Sequence, residues 1–289
     1  MSAEWKAEGS CKMRKYLAGS VILLTAALAF CPFAFAQTDD GQSGQQPPAN
    51  QARGRGRGRG GANTPSPTAN SPFDPHDFSG VWMGRSEAPI GSLSSKAPAM
   101  TPWALARFDA AKPGIGPRAQ PLGNDPIMAC DPVGYPRIAH GGAYPVEFIQ
   151  TNDRLIEFFD FFYTYRTIYL DGRKLPDDPE PTWYGYSVGH WEGNTLVIES
   201  AGFNDRSWLD TDGHPHSDQM QIEERFQRVD HDTIVANMTV TDPKAYTGPW
   251  ATSVTWKLSP KQEMREDLCA PSDEAKYKQE MREPAAAKN

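Results

Sequence analysis

From residue 146 onward, apolar and polar positions alternate in short runs separated by clusters of turn-forming residues. The runs 146–150 and 154–162 flank Thr151, Asn152 and Asp153, and 161–170 continues as strand until Asp171 and Gly172 turn the chain. Residues 184–191 and 195–200 flank Glu192, Gly193 and Asn194, while 221–229 and 233–241 flank Asp230, His231 and Asp232. A last pair, 253–258 and 263–268, meets across Ser259 and Pro260, and 78–83 forms a short opening strand. Successive hairpins make an antiparallel meander, and closing it into a barrel removes its exposed edges. The fold expected is therefore mainly β, a closed meander with one helix near its start. That helix spans 101–112, with Thr101 as N-cap and Pro102 at its first position. The Gly- and Pro-rich stretch 113–144 is expected to be irregular.

The segments before residue 77 change where this domain is expected to work. In 1–36, Lys12, Arg14 and Lys15 precede the apolar run 21–30, and Ala34, Phe35 and Ala36 offer a cleavage site, the pattern of a secretory signal. The expected location is periplasmic or secreted. An uncleaved anchor over 18–36 and lipidation at Cys31 are competing readings, and Met13 is an alternative start. Residues 37–76 are rich in Gln, Pro, Gly, Ser and Asn and carry the Arg-Gly repeat 53–60, so they cannot bury a core. They read as a flexible basic tether able to touch an anionic envelope surface weakly.

Mean hydropathy of −0.60 excludes a multi-span membrane protein, so no integral membrane domain is expected. Four Lys/Arg and two Asp/Glu fall in 1–36, and four Arg and three Asp in 37–76, leaving 21 basic and 31 acidic residues in 77–289. A domain near −10 argues against nucleic acid as its partner. A chain beginning at Gln37 retains Cys130 and Cys269, and in an oxidising compartment these are expected to pair, joining the irregular stretch to the last strand.

The triplet Gly80, Val81, Trp82 resembles the Gly-x-Trp that begins lipocalin-type barrels. The runs 103–109, 181–189, 191–197, 202–205 and 213–217 resemble a family of secreted bacterial proteins. That resemblance implies export and carries over no activity.

Strand parity picks out the candidate chemistry. The even positions of 156–170 are mostly apolar but include Asp160 and Arg166, and the even face of 221–229 is Ile222, Glu224, Phe226 and Arg228. Charges facing an apolar lumen must pair with one another or with a ligand. Asp160, Arg166 and Glu224 are thus expected inside, and a purely structural ion pair or an outward register is the competing reading. Tyr184, Tyr186 and His190 share another mixed face, and Trp183 beside them is a further candidate for stacking on a sugar or phenolic ring.

Residues 210–218 concentrate His214, His216, Asp210 and Asp212. The two histidines are candidate acid/base groups and, with Glu223 or Glu224, a candidate metal set that Pro215 and the long spacing fit poorly; Asp210 and Asp212 with Gly213 suggest calcium, but the full alternating ligand loop is missing. The reading preferred is no metal and no cofactor. No Gly-x-Ser-x-Gly elbow, phosphate loop or dinucleotide fingerprint occurs. Two functions remain: a barrel binding a small amphipathic, phenolic or sugar-like ligand with Arg166 as contact, or a cofactor-independent lyase, hydratase or hydrolase using Glu224 or a histidine. Whether the chain is an enzyme stays open between them, with a metal enzyme on the His-Pro-His loop as a third possibility.

Overall fold

The computed structural model describes residues 70–86, 93, 96–140 and 144–287. The expected signal at 1–36, and the expected tether up to residue 69, lie outside these residues. Nine strands, β1 (Gly80–Ser86), β2 (Pro145–Gln150), β3 (Arg154–Phe159), β4 (Thr164–Tyr169), β5 (Tyr186–Glu192), β6 (Thr195–Ala201), β7 (Gln221–Asp230), β8 (Thr233–Thr241) and β9 (Trp250–Leu258), pair in chain order. β9 returns to β1 and closes the barrel. Among the described residues no helix is long and apolar enough to cross a membrane.

Alternation drives these strands. In β7, Ile222, Glu224 and Phe226 are buried while Gln221, Glu223 and Gln227 are exposed. The loops have the turn chemistry that their sequences call for. Gly193, at φ 58°, supplies the left-handed step of the two-residue loop between β5 and β6. Inside, Phe78, Phe148, Phe226 and Trp256 form an aromatic layer with ring centroids 5.1 to 6.5 Å apart. Trp82 closes it, its indole N–H donating to the Phe78 carbonyl at 2.9 Å.

Three features depart from the expected meander. The strand expected over 154–162 stops at Phe159, because Phe161–Tyr163 is a tight turn with Phe162 and Tyr163 at φ 61° and 46°. The chain reverses there, so β3 and β4 form a hairpin. β4 and β5 pair in parallel, because the long connection 170–185, with three prolines, carries the chain back along the barrel before it re-enters. The strand expected at 263–268 is absent: β8 and β1 occupy both edges of β9, leaving no edge on which it could pair.

The helix near the start is present as α1 (Pro102–Ala110), with the Thr101 hydroxyl accepting from the Ala104 N–H at 3.3 Å. It is not the only helix. A buried turn, α2 (Arg137–His140), lies within the stretch expected to be irregular, and α3 (Pro271–Tyr277), a π turn (Lys278–Arg282) and α4 (Glu283–Ala286) follow the barrel. Cys130 and Cys269 are bridged, with Cα atoms 5.4 Å apart. Cys269 lies between β9 and α3, so the bridge ties the C-terminal segment to the 113–144 stretch and not to a last strand.

Candidate functional site

A belt of inward polar residues crosses five neighbouring strands. Glu157 on β3 lies directly opposite Arg166 on β4, Ser187 on β5 opposite Ser200 on β6, and Glu224 follows on β7. Arg166 is 2% exposed and uses its whole fork: Nε donates to Ser187 Oγ at 3.0 Å, Nη1 to Glu157 Oε2 at 3.2 Å, and Nη2 to Ser200 Oγ at 3.0 Å and to Glu224. Such a fork can satisfy several acceptors at fixed angles, which a lysine cannot.

A sixth contributor comes from outside the sheet. Residues 133–140 are buried throughout and bring Tyr135 into the lumen, where its phenol donates to Glu224 Oε1 and its ring lies 3.9 Å from the Arg166 guanidinium. Arg137 anchors this segment by two bonds to Asp125, at 2.9 and 2.6 Å, and His140 spans the Pro136 carbonyl and Thr252. Gly134 is required here. At φ 77° it occupies the left-handed region, and a Cβ would come within 2.1 Å of Ser207 Oγ.

One guanidinium cannot neutralise two carboxylates, so in a dry interior one of the pair is held neutral. Burial pushes the Glu157 carboxyl up to about 7, against the pull of Arg166 and helped by Glu224. Burial also raises the Tyr135 phenol well above its ordinary range, keeping it a donor. Burial works against the Arg166 charge, but Glu224, Tyr135 and Glu157 outweigh it, and its pKa is raised.

A pH dependence follows. A carboxyl that binds its proton more tightly folded than unfolded makes the fold most stable below about 4.5, and that contribution is lost as pH rises to about 7. Buried His140 and His216, both lowered by burial, act in the opposite direction, so the test is a difference. Relative to Glu157→Gln, the wild-type protein should lose about 3 kcal/mol of unfolding free energy between pH 4.5 and 7.5. Denaturant titrations of both proteins across that range measure it, and parallel curves would contradict it.

The structure separates the other residues singled out in the sequence. Asp160 is fully buried but belongs to the β3–β4 turn, where it accepts from the Arg265 backbone N–H and lies 3.4 Å from the Arg265 guanidinium. It is not an inward group of a continuous strand, because that strand does not exist. On β5 the inward residue is Ser187, so Tyr186 and His190 face outward: Tyr186 stacks on Tyr169 and accepts from Arg173 at 3.1 Å, and exposed His190 lies 3.5 Å from Glu192. Tyr184, just before β5, is half-buried against the core, and Trp183 lies beneath Arg206, 4.4 Å from its guanidinium.

His214 and His216 are directed apart. His214 Nδ1 meets Asp210 Oδ2 at 2.7 Å, and its ring packs between Phe108 and Trp250. His216 instead meets Ser207 Oγ at 2.9 Å through Nε2. Glu223 is on the outer face of β7 and Glu224 is in the lumen, so the expected His-x-His and glutamate set is not assembled. Asp210, Asp212 and His214 do place ligand-type atoms within 4.8 Å of one another. Asp210 Oδ1 is already taken by the N–H groups of Asp212 and His214, so the group reads as a hydrogen-bonded loop.

Beside Gly213 and Pro215 of this loop, Arg107, Asn124, Asp205, Arg206, Ser207 and Trp208 line a cleft of about 220 Å³. Sequence parity therefore located Arg166 and Glu224 in the belt and missed Glu157, Tyr135, Ser187, Ser200 and Ser207. Compared with models of known protein families and with curated proteins, the chain matches none.

Proposed function

We propose that this chain is an extracytoplasmic, lipocalin-like binding barrel of the secreted bacterial kind that its sequence resembles. Its polar belt holds the hydroxyl end of a small amphipathic guest, a hydroxylated aromatic. The observation that carries this reading is Glu157 Oε1, a fully buried atom without a hydrogen-bond partner among the described residues. Buried polar atoms are normally satisfied, and the exceptions mark places where something else binds or reacts. Glu157 Oε2 already accepts from Arg166, so Oε1 is the oxygen left for a guest: a donor while the carboxyl, which burial pushes up to about 7, keeps its proton, and an acceptor once it is ionised.

Tyr135 indicates which guest the belt suits. Its ring covers Arg166 and its O–H engages Glu224, so a second phenol repeats contacts that the belt makes with the protein's own side chain. Binding requires the 133–140 segment to give way, which reduces affinity by the population of the open form. The bridge between Cys130 and Cys269 supports an oxidising location.

The experiment is a melting series with 4-methylphenol, which reproduces a tyrosine side chain, and methylbenzene, which lacks the hydroxyl. The phenol at millimolar concentration should raise the melting temperature of wild-type protein by a few degrees, since saturating a native site at 100 times Kd contributes about 2.7 kcal/mol. Methylbenzene should have little effect, and Glu224→Gln should lose the response. Equal responses to the two compounds, or none to either, would contradict the reading.

A further inference from the structure

We infer that Ser207, which lines the outer cleft, and the buried His216 that it meets form a nucleophile and general base, a second site distinct from the lumen, which hydrolyses small esters carrying a carboxylate. Ser207 Oγ and His216 Nε2 are 2.9 Å apart, within the reach that transfer of the hydroxyl proton requires. On its other side His216 Nδ1 faces the Ser217 carbonyl at 3.4 Å. A carbonyl only accepts, so this contact favours the tautomer with the proton on Nδ1 and leaves Nε2 free to receive one.

The pair is held from three directions. Ser207 is pressed by Gly134, whose missing Cβ leaves room for the hydroxyl. The Ser217 side chain and backbone N–H both donate to Asp242, at 2.7 and 2.6 Å, fixing the carbonyl that orients His216. The preceding residue, Pro215, is fixed as well, because its carbonyl accepts from the Tyr246 phenol at 2.7 Å.

The surroundings set the substrate class. Arg107 and Arg206 line the cleft with one carboxylate, Asp205, so its lining carries a net positive charge, and Trp208 adds a flat apolar wall. A cleft of about 220 Å³ has room for a short acyl group. Both guanidiniums are braced on indoles, Arg107 on Trp103 at 3.8 Å and Arg206 on Trp183 at 4.4 Å; Arg206 also lies 3.5 Å from Asp131, so an anion in the cleft competes with that carboxylate for it.

In the reaction, Ser207 Oγ attacks the ester carbonyl carbon while its proton passes to His216 Nε2. The C–O bond to the alcohol breaks, and the alkoxide leaves with that proton as the free alcohol. Water then attacks the acyl-Ser207 ester, gives its proton to His216, and releases the carboxylic acid as Ser207 recovers the proton. No oxidant, metal or further reactant is needed.

The test uses the full-length protein as exported. A fluorophosphonate probe should form a single adduct, mapped by peptide mass spectrometry to Ser207, and His216→Gln should reduce the labelling rate at least 100-fold. The mono-4-nitrophenyl ester of succinic acid should be hydrolysed at least tenfold more efficiently than 4-nitrophenyl butyrate, with loss of turnover in Ser207→Ala. Wild-type protein with intact near-ultraviolet circular dichroism that takes up no probe at Ser207 would overturn the assignment, and this readout does not depend on whether any variant folds. Hydrolysis that persists in folded Ser207→Ala would overturn it as well.

Discussion

Replacing Arg166 by methionine should lower the unfolding free energy by about 3 to 5 kcal/mol, the cost of stranding buried partners of a lost ion. The size of the effect follows from what is left behind. Glu157 and Glu224 are 1% and 0% exposed, so without the guanidinium neither can turn to solvent, and Tyr135 loses the cation beneath its ring. Ser187 and Ser200 lose their donor but keep each other at 2.9 Å, so they add little. Adding Glu157→Gln and Glu224→Gln to Arg166→Met should restore part of the loss, because neutral amides cost less to bury than ions. Urea unfolding of the single and triple variants measures both effects. A single variant within 1 kcal/mol of wild type would mean that the belt is hydrated and that its charges are not confined.

Removing the bridge with Cys130→Ser and Cys269→Ser should cost somewhat less than about 5 kcal/mol, the chain-entropy value for a closed loop of this length. The cysteines are 139 residues apart, and the loop between them contains β2 to β9 entirely. The same bridge attaches the segment after β9, whose Arg265 reaches back to Asp160 and whose Arg282 donates to the Pro121 carbonyl at 3.0 Å. Reduction should therefore loosen two regions together: the 113–144 stretch that delivers Tyr135, and the C-terminal helices. Unfolding curves with and without reductant give the free energy, and limited proteolysis should show early cuts after Leu258. An unchanged midpoint would show that the C-terminal segment is held by its other contacts.

Most of the barrel was legible because six of its strands, β2, β3 and β5 to β8, turn at short polar loops. Arg166 and Glu224 were placed inside by parity, since β4 and β7 run through their positions without interruption. Glu157 was hidden by the turn at Phe162. Opposed residues of the β3–β4 hairpin, such as Glu157 and Arg166, have numbers of opposite parity, so reading one strand through the turn inverts the inward face of the first half. β5 misled for a different reason. Its inward residues are small, Ser187 and Gly189, because Arg166 needs the space beside one and Leu170 lies 2.9 Å from where a Cβ of the other would be. The bulky Tyr186 and Val188 then look like the core face from composition alone. Tyr135 left no periodic signal, since it enters from a Gly-Pro segment whose path is set by Gly134 and the Arg137–Asp125 pair. Ser207 and His216 are nine residues apart and meet because the chain between them folds back on itself, with Trp208 and Pro215 bridged antiparallel and the Leu209 N–H donating to the His214 carbonyl, a reversal that carries no periodic signal.

The central claim is that the belt recognises a phenol in the position that Tyr135 fills. The most direct measurement is calorimetric titration of 4-methylphenol into wild-type protein, Tyr135→Ala, and Tyr135→Ala with Glu224→Gln. Binding should be weak to wild type, at least tenfold tighter to Tyr135→Ala because the protein's own ring no longer competes, and should lose that gain when Glu224 is changed. Equal affinity in all three proteins, or no heat of binding to folded Tyr135→Ala, would contradict it.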